Sequence, residues 1–230
     1  MARLITRRKM LAGVAAAGLL TGCDNPVATH FLSAMSRWNQ GFQSALFSPN
    51  RLAPEPPASE LTPEKDFPVY FISDSLPMAP ESWMLEVGGL VARPLMLTID
   101  QLRQMPPTDM RLRHHCVEGW SAVASWQGVK VSDIARIAGA APEAKYVEFK
   151  SFDNDYWSSW DLASAMHPQT ILAYGMNGHP LYAEHGAPLR LYSSVKLGYK
   201  TVKYLTQVNF IPRPTGGYWE NQGYEWFAGV

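Results

Sequence analysis

Short apolar or alternating runs, separated by glycine and proline, dominate the chain from Phe67 onward. The clearest are WMLEVGGLV at 83–91, PLMLTI at 94–99, KYVEFKSF at 145–152 and LRLYSS at 189–194, each of strand length and bounded by turn-forming residues. Helices are few and short. One starts near Thr98, where Gln101 completes a capping box, another near Ser132 ahead of DIARIAG, and a third over DLASAM before Pro168. The pattern predicts a mixed, sheet-rich α+β fold without internal repeats or a sustained heptad. Ahead of it, Pro49, Pro54, Pro56, Pro57 and Pro63 break regular structure, so residues 23–66 read as a tether leading into a body at 67–230.

Composition narrows this to one domain of catalytic size: 230 residues, 47% hydrophobic and 17% charged, hold ample apolar material for one sizeable core. The formal net charge is zero and no Lys/Arg run follows the N-terminus, which excludes a nucleic-acid footprint. Residues 1–22 read as an export signal, with Arg3, Arg7, Arg8 and Lys9 preceding an apolar stretch from Met10 to Leu20 that is short for a membrane span. Thr6-Arg7-Arg8 followed by Met10-Leu11 resembles a twin-arginine signal, the route of proteins that load a cofactor before export. Leu20-Thr21-Gly22-Cys23 resembles a lipobox, which would make Cys23 the acylated first residue; plain signal cleavage is the alternative. These signals predict a lipid-anchored protein on the periplasmic face of a bacterial inner membrane.

The chain has two cysteines, so Cys116 is left alone in an oxidising compartment. Such a thiol is buried and inert, paired between chains, or protected by chemistry such as a metal bond. An apolar alternation leads up to Cys116 and Gly119-Trp120 breaks it, placing the thiol where a strand hands over to a loop. His114 and His115 beside it suggest zinc, but consecutive strand positions point to opposite faces. A nucleophile pairing with His167, His179 or His185 as base is a second option, and would make the chain a hydrolase.

Four segments, FISDSLPMAPESWMLEVGGLVARPLMLT, RHHCVEGWSAVASWQGV, DLASAMHPQTILAYGMNGHPL and HGAPLRLYSSVKLGYKTVKYLTQVNF, occur in the order found in one family. The chain resembles the molybdopterin-binding domain of the sulfite oxidase superfamily. It is most similar to the exported bacterial branch that includes the periplasmic methionine sulfoxide reductase catalytic subunit. The resemblance implies Cys116 as the one protein sulfur on a molybdenum held by a single molybdopterin, an arrangement suited to oxygen-atom transfer on a small substrate. It also implies that Tyr156 is an active-site donor. Cofactor contacts are implied for Ser73, Asp74, Ser75, Ser151, Asp153, His185, Arg190 and the Thr201-Val202-Lys203 stretch, with Lys200 a further cation near the pterin phosphate.

Departures from the family bear on substrate. Relatives that oxidise sulfite carry anion-binding arginines where this chain has Ser73 and Ser121, and Trp157 and Trp160 beside Tyr156 suggest a less polar pocket. Reduction of an S-oxide or N-oxide is therefore expected. His185 stands where the reductase branch carries asparagine. No haem-attachment or dinucleotide motif is present, so electrons must come from another protein, for which the family implies a membrane b-type haem partner and a monomeric catalytic subunit. A protein that keeps this fold as a metal-free binding or assembly module is the competing class. The aromatic tail GYWENQGYEWFAGV is expected to pack on the core.

Overall fold

A computed structural model describes residues 26–153 and 155–230. The signal, Cys23 and the twin-arginine pair lie outside the described residues. The chain separates into two compact units, Met1–Ala45 and Leu46–Val230.

The first unit contains a feature at odds with the expected tether. An α-helix, α1, spans Pro26–Leu46. Proline is tolerated at a first helical position, and the disruptive prolines begin only at Pro49, so nothing interrupts the intervening turns. Phe31, Met35, Trp38 and Phe42 recur at helical spacing and are exposed, with Leu32 and Leu46 beside them. Among the described residues, no helix is long and apolar enough to cross a membrane.

The second unit begins well before the expected boundary at Phe67, because residues 46–66 are tied down by polar bonds. Ala53 exchanges hydrogen bonds with the Gln169 side chain at 2.8 and 2.9 Å, the Thr62 amide donates to the Val123 carbonyl at 3.0 Å, and Glu60 pairs with Arg113. This part of the expected tether belongs to the body.

The body is built on two five-stranded sheets. The first has the order β2-β1-β10-β5-β6, from Leu95–Leu97, Leu85–Gly89, Leu205–Ile211, Tyr146–Ser151 and Trp157–Asp161. In it β1 and β10 pair in parallel, joining the start of the body to its end. The second runs β3-β4-β7-β8, from Thr108–His115, Ser121–Lys130, Thr170–Met176 and His179–Pro180, with β9 (Arg190–Ser193) also paired to β7. The larger core cluster gathers Leu85, Val87, Val147, Phe149, Trp160, Val208 and Phe210 from the first sheet with Ile134 and Ala138 from a helix; a smaller one gathers Leu112, Trp126, Ile171 and Tyr192.

The predicted helices are present. α2 (Ile99–Arg103) has the full Thr98/Gln101 capping box, α3 (Val131–Ala138) ends on left-handed Gly139, and α4 (Leu162–Ala165) is capped by Asp161 accepting from the Ser164 amide at 2.8 Å. β4 needs Gly128 at its register shift, since a Cβ there would lie 2.1 Å from the Leu172 carbonyl oxygen of β7. That close approach seats the β3–β4 hairpin, which carries Cys116.

Candidate active site

Cys116 follows the last residue of β3, and a tight turn fixes it: its amide donates to the Trp120 carbonyl at 3.0 Å and its own carbonyl accepts from the Gly119 amide at 3.1 Å. The thiol opens into a cavity of roughly 240 Å³. The second sheet contributes His114 and Arg190 to the walls, the end of β5 contributes Ser151, the loop between β5 and β6 contributes Asp153 and Tyr156, and the turn ahead of β9 contributes His185. Thr201 and Lys203 line it from the segment before β10.

Part of the cavity wall is a cluster of nitrogen-bearing side chains, with Arg190 and His185 buried and His114 and Lys203 half-buried. Arg190 is almost fully enclosed, donates to the His185 carbonyl at 2.9 Å and to Thr201 Oγ1 at 3.2 Å, and lies 4.9 Å above the Trp126 ring. Its Nε has no partner. Lys203 Nζ donates only to a carbonyl, that of Glu184 at 2.9 Å. Among the described residues neither cation forms an ion pair. Burial and the Arg190 charge pull Lys203 down to about 7, and burial takes Arg190 down to about 10. His114 falls to about 3 through burial and Arg190, while burial lowers His185, so both imidazoles are neutral at physiological pH. Asp153 and Glu184 offset only part of the Lys203 desolvation; burying cations without an ion pair is costly, and an anionic ligand removes that cost. Gly198 keeps the wall open, since a Cβ there would stand 2.5 Å from His114 Nε2.

This donor set fits a molybdopterin. Arg190, Lys203 and Thr201 supply donors and charge for a phosphate, the neutral imidazoles supply further polar contacts, and Cys116 supplies one soft anionic ligand. Around the thiol the chemistry changes. Glu118 lies 3.8 Å from Cys116 Sγ and is held by Trp120 Nε1 at 3.0 Å. Burial pushes the thiol up; the Glu118 carboxylate adds to the rise, partly offset by the Glu118 and Val117 amides. That is the reverse of an activated nucleophile. Tyr156 is enclosed, its hydroxyl donates to the Tyr199 carbonyl, and burial with Glu220 nearby holds its phenol well above the ordinary range.

The other expected residues divide. Asp153 lines the cavity, but its carboxylate accepts from the Ile72 and Ser73 amides, both at 3.1 Å, and from the Ser73 hydroxyl. It therefore fastens the 71–73 loop over the site. Ser73 is spent on that clamp, and Asp74 and Ser75 are exposed; none of the three is a wall residue. Val202 points into the core while Thr201 and Lys203 face the cavity, so the stretch alternates. Lys200 is turned away, donating to the Ser159 carbonyl at 3.0 Å and paired with Glu220. Trp157 and Trp160 do not line the cavity; Trp160 is buried in the main core. Its apolar rings are instead Phe67, Tyr70, Phe71, Trp120, Trp219 and Tyr224. Of the three candidate bases for a hydrolase, only His185 reaches the cavity: His167 bonds the Arg51 carbonyl and His179 bonds Glu64.

Sequence reasoning alone misses His114 as a wall residue, Glu118, and the tail rings Trp219 and Tyr224. His114 carries a usable signal, since two residues before Cys116 on a strand is the same face. The tail rings have no periodic signal.

Comparison with known proteins agrees with this chemistry. Residues 73–219 match the family described as oxidoreductase molybdopterin binding domain. A putative protein-methionine-sulfoxide reductase subunit, YedZ1, of Azospira oryzae is 43% identical over 99% of this chain and 87% of its own length. The protein-methionine-sulfoxide reductase catalytic subunit MsrP of Xanthomonas axonopodis is 32% identical over 60% of this chain and 48% of its own. Among solved structures, the sulfane dehydrogenase SoxCD of Paracoccus pantotrophus shares the fold, with a TM-score of 0.64 at 23% identity over 74% of this chain and 47% of that one. The chain therefore belongs to the molybdopterin-binding oxidoreductases of the sulfite oxidase superfamily, whose cofactor is a molybdopterin-bound molybdenum.

Proposed function

We propose that this oxidoreductase reduces a sulfoxide, with the methionine sulfoxide side chain as the leading candidate, and that Cys116 is the protein ligand to molybdenum. The observation that carries the proposal is the joining, in one cavity, of two cations that form no ion pair among the described residues with a single thiol, aromatic rings and the Glu118 carboxylate. The relatives named for protein methionine sulfoxide support the S-oxide class. In the overall change the sulfur–oxygen bond of the sulfoxide breaks, two electrons reduce the sulfur to a thioether, and the oxygen leaves with two protons as water. The bound cofactor supplies the two-electron oxygen-atom chemistry; the chain supplies position, charge and a partly dry site. Tyr156 is fully protonated at neutral pH, and its one hydroxyl proton is held by the Tyr199 carbonyl, so donation to a substrate oxygen requires that bond to be exchanged. Glu118 beside Cys116 disfavours a sulfite dianion, and Arg190 is the one arginine among the cavity's wall residues.

We further assign the chain to the periplasmic face of the inner membrane, anchored through Cys23, with electrons from a membrane b-type haem protein. The exposed apolar stripe of α1, which begins three residues after that cysteine, suits a bilayer surface. Loss of membrane sedimentation in Cys23→Ser tests the anchor.

The central test is molybdenum content and turnover in protein from a host that makes the cofactor. We expect close to one molybdenum per chain and dye-linked reduction of S-oxides, both lost in Cys116→Ala. Unchanged turnover in Cys116→Ala would sink the ligand assignment, and a metal-free wild type would point to the binding-module class.

A further inference from the structure

Beyond the nitrogen-bearing wall, the cavity opens through rings contributed by two distant parts of the chain. Tyr70 comes from the loop ahead of β1, and Trp219 and Tyr224 come from the tail. Tyr70 and Trp219 have ring centroids 6.2 Å apart, and Trp219 and Tyr224 are 5.1 Å apart. Tyr70 and Tyr224 are exposed, unlike Arg190 and His185 in that wall. A one-turn helix holds the tail pair. The Tyr224 amide donates to the Trp219 carbonyl at 3.2 Å across left-handed Gly223, and Glu220 within it is fixed by Lys200 and by the Ser158 hydroxyl at 2.6 Å. The rings are therefore set before any ligand arrives.

Trp219 is half-buried with one side against the main core, while Tyr70 and Tyr224 beside it are exposed and poorly used as core. Rings so placed suit an unbranched sulfur-bearing side chain, whose methylenes and S-methyl group pack against ring faces and edges. A small sulfoxide would leave most of this surface wet. Resting on the sulfoxide-reductase reading above, we infer that Tyr70, Trp219 and Tyr224 form a subsite for the methylene stem of a peptide-borne methionine sulfoxide, so that the tail selects protein substrates over small S-oxides. The opening is solvent-facing, as a side chain presented from another polypeptide requires.

The test uses molybdenum-loaded enzyme and two substrates, dimethyl sulfoxide and a short peptide containing methionine sulfoxide. In Trp219→Ala and Tyr224→Ala the ratio of kcat/KM for the peptide to that for dimethyl sulfoxide falls at least tenfold, chiefly through the peptide KM, and Trp219→Phe restores most of it. The same peptide carrying methionine sulfone, which is not turned over, gives a binding readout independent of turnover: its dissociation constant rises about tenfold in the alanine variants. A ratio that stays within twofold while thermal stability drops would show that the rings only pack the tail, and would overturn the inference. Failure of the underlying reading looks different, since wild type would then reduce neither substrate.

Discussion

Arg190 and Lys203 carry the largest consequences for a single side chain, because Arg190 is buried without an ion pair and the desolvation of half-buried Lys203 is only partly offset by Asp153 and Glu184. Arg190→Ala removes the fork that bonds the His185 carbonyl and Thr201 and also strips a cation from the Trp126 face. We expect molybdopterin content to fall at least tenfold, with Arg190→Lys intermediate, because a point charge keeps the attraction and loses the fork. Lys203 predicts a pH signature in the cofactor-free chain. Its pKa is near 10.5 unfolded and about 7 folded, so between those values the unfolded chain binds the extra proton. Stability contributed by this residue therefore rises with pH from about 7 to above 10, and below 7 the full penalty applies. Lys196, pulled to about 8 by burial, acts in the same direction, so the comparison must be with Lys203→Met. That variant should melt higher than wild type at pH 6, by at least several degrees, with the gap closing by pH 10. An equal pH slope in both proteins would refute the burial argument, and bound cofactor should remove the gap by supplying the anion.

At the scale of elements, the hairpin that presents Cys116 depends on contacts far from the thiol. Gly128→Ala would drive a methyl group against the Leu172 carbonyl, and β4 cannot shift without moving β7. We expect a loss of more than about 3 kcal/mol, read as insoluble or poorly folded protein, whereas Thr98→Ala, which breaks only the α2 capping box, should cost about 1 kcal/mol. The same elements show why parts of the fold are legible. Strands β1, β2, β5 and β9 and all three short helices carry local signals, namely bounded apolar runs, the Thr98/Gln101 pair and the Asp161 cap. The long helix α1 escapes a reading that weighs the prolines of 23–66 as a block, because they cluster only from Pro49 onward. In the site, Cys116, Arg190 and Lys203 are readable from motif and charge. Trp160 is misplaced by sequence reasoning because a strand residue's face depends on register with partners distant in sequence, and Lys200 because the short 3-10 turn that carries it faces Ser159 and Glu220, which composition near Arg190 does not encode. Trp219 and Tyr224 reach the mouth through an irregular tail that has no period to read.

For the whole molecule, the tail closes a circuit between the core and the mouth of the site. Lys200 is completely buried, and its charge is met by Glu220, which also accepts from Ser158; Trp226 lies over the same ammonium at 5.4 Å. Nearby, Lys196 donates to the Phe227 carbonyl at 2.7 Å and the Leu197 amide to the Ala228 carbonyl at 3.0 Å. Burial lowers Lys200 even with Glu220 beside it, so the pair is a locked junction whose value shows when one partner is removed. Glu220→Gln leaves an ammonium facing a neutral amide in a dry site. We expect a loss of about 3 kcal/mol, roughly 6–12 °C in melting temperature for a domain of this size. The double change Lys200→Met with Glu220→Leu should recover most of that loss, since it removes both charges together. Because Glu220 sits beside Trp219, local release of the tail precedes global unfolding. Hydrogen exchange in Glu220→Gln should therefore rise first at the 219–224 amides while the β3–β4 hairpin stays protected. Uniform acceleration across both regions would mean that the tail unfolds only with the core, and that the junction stabilises the body without tuning the mouth.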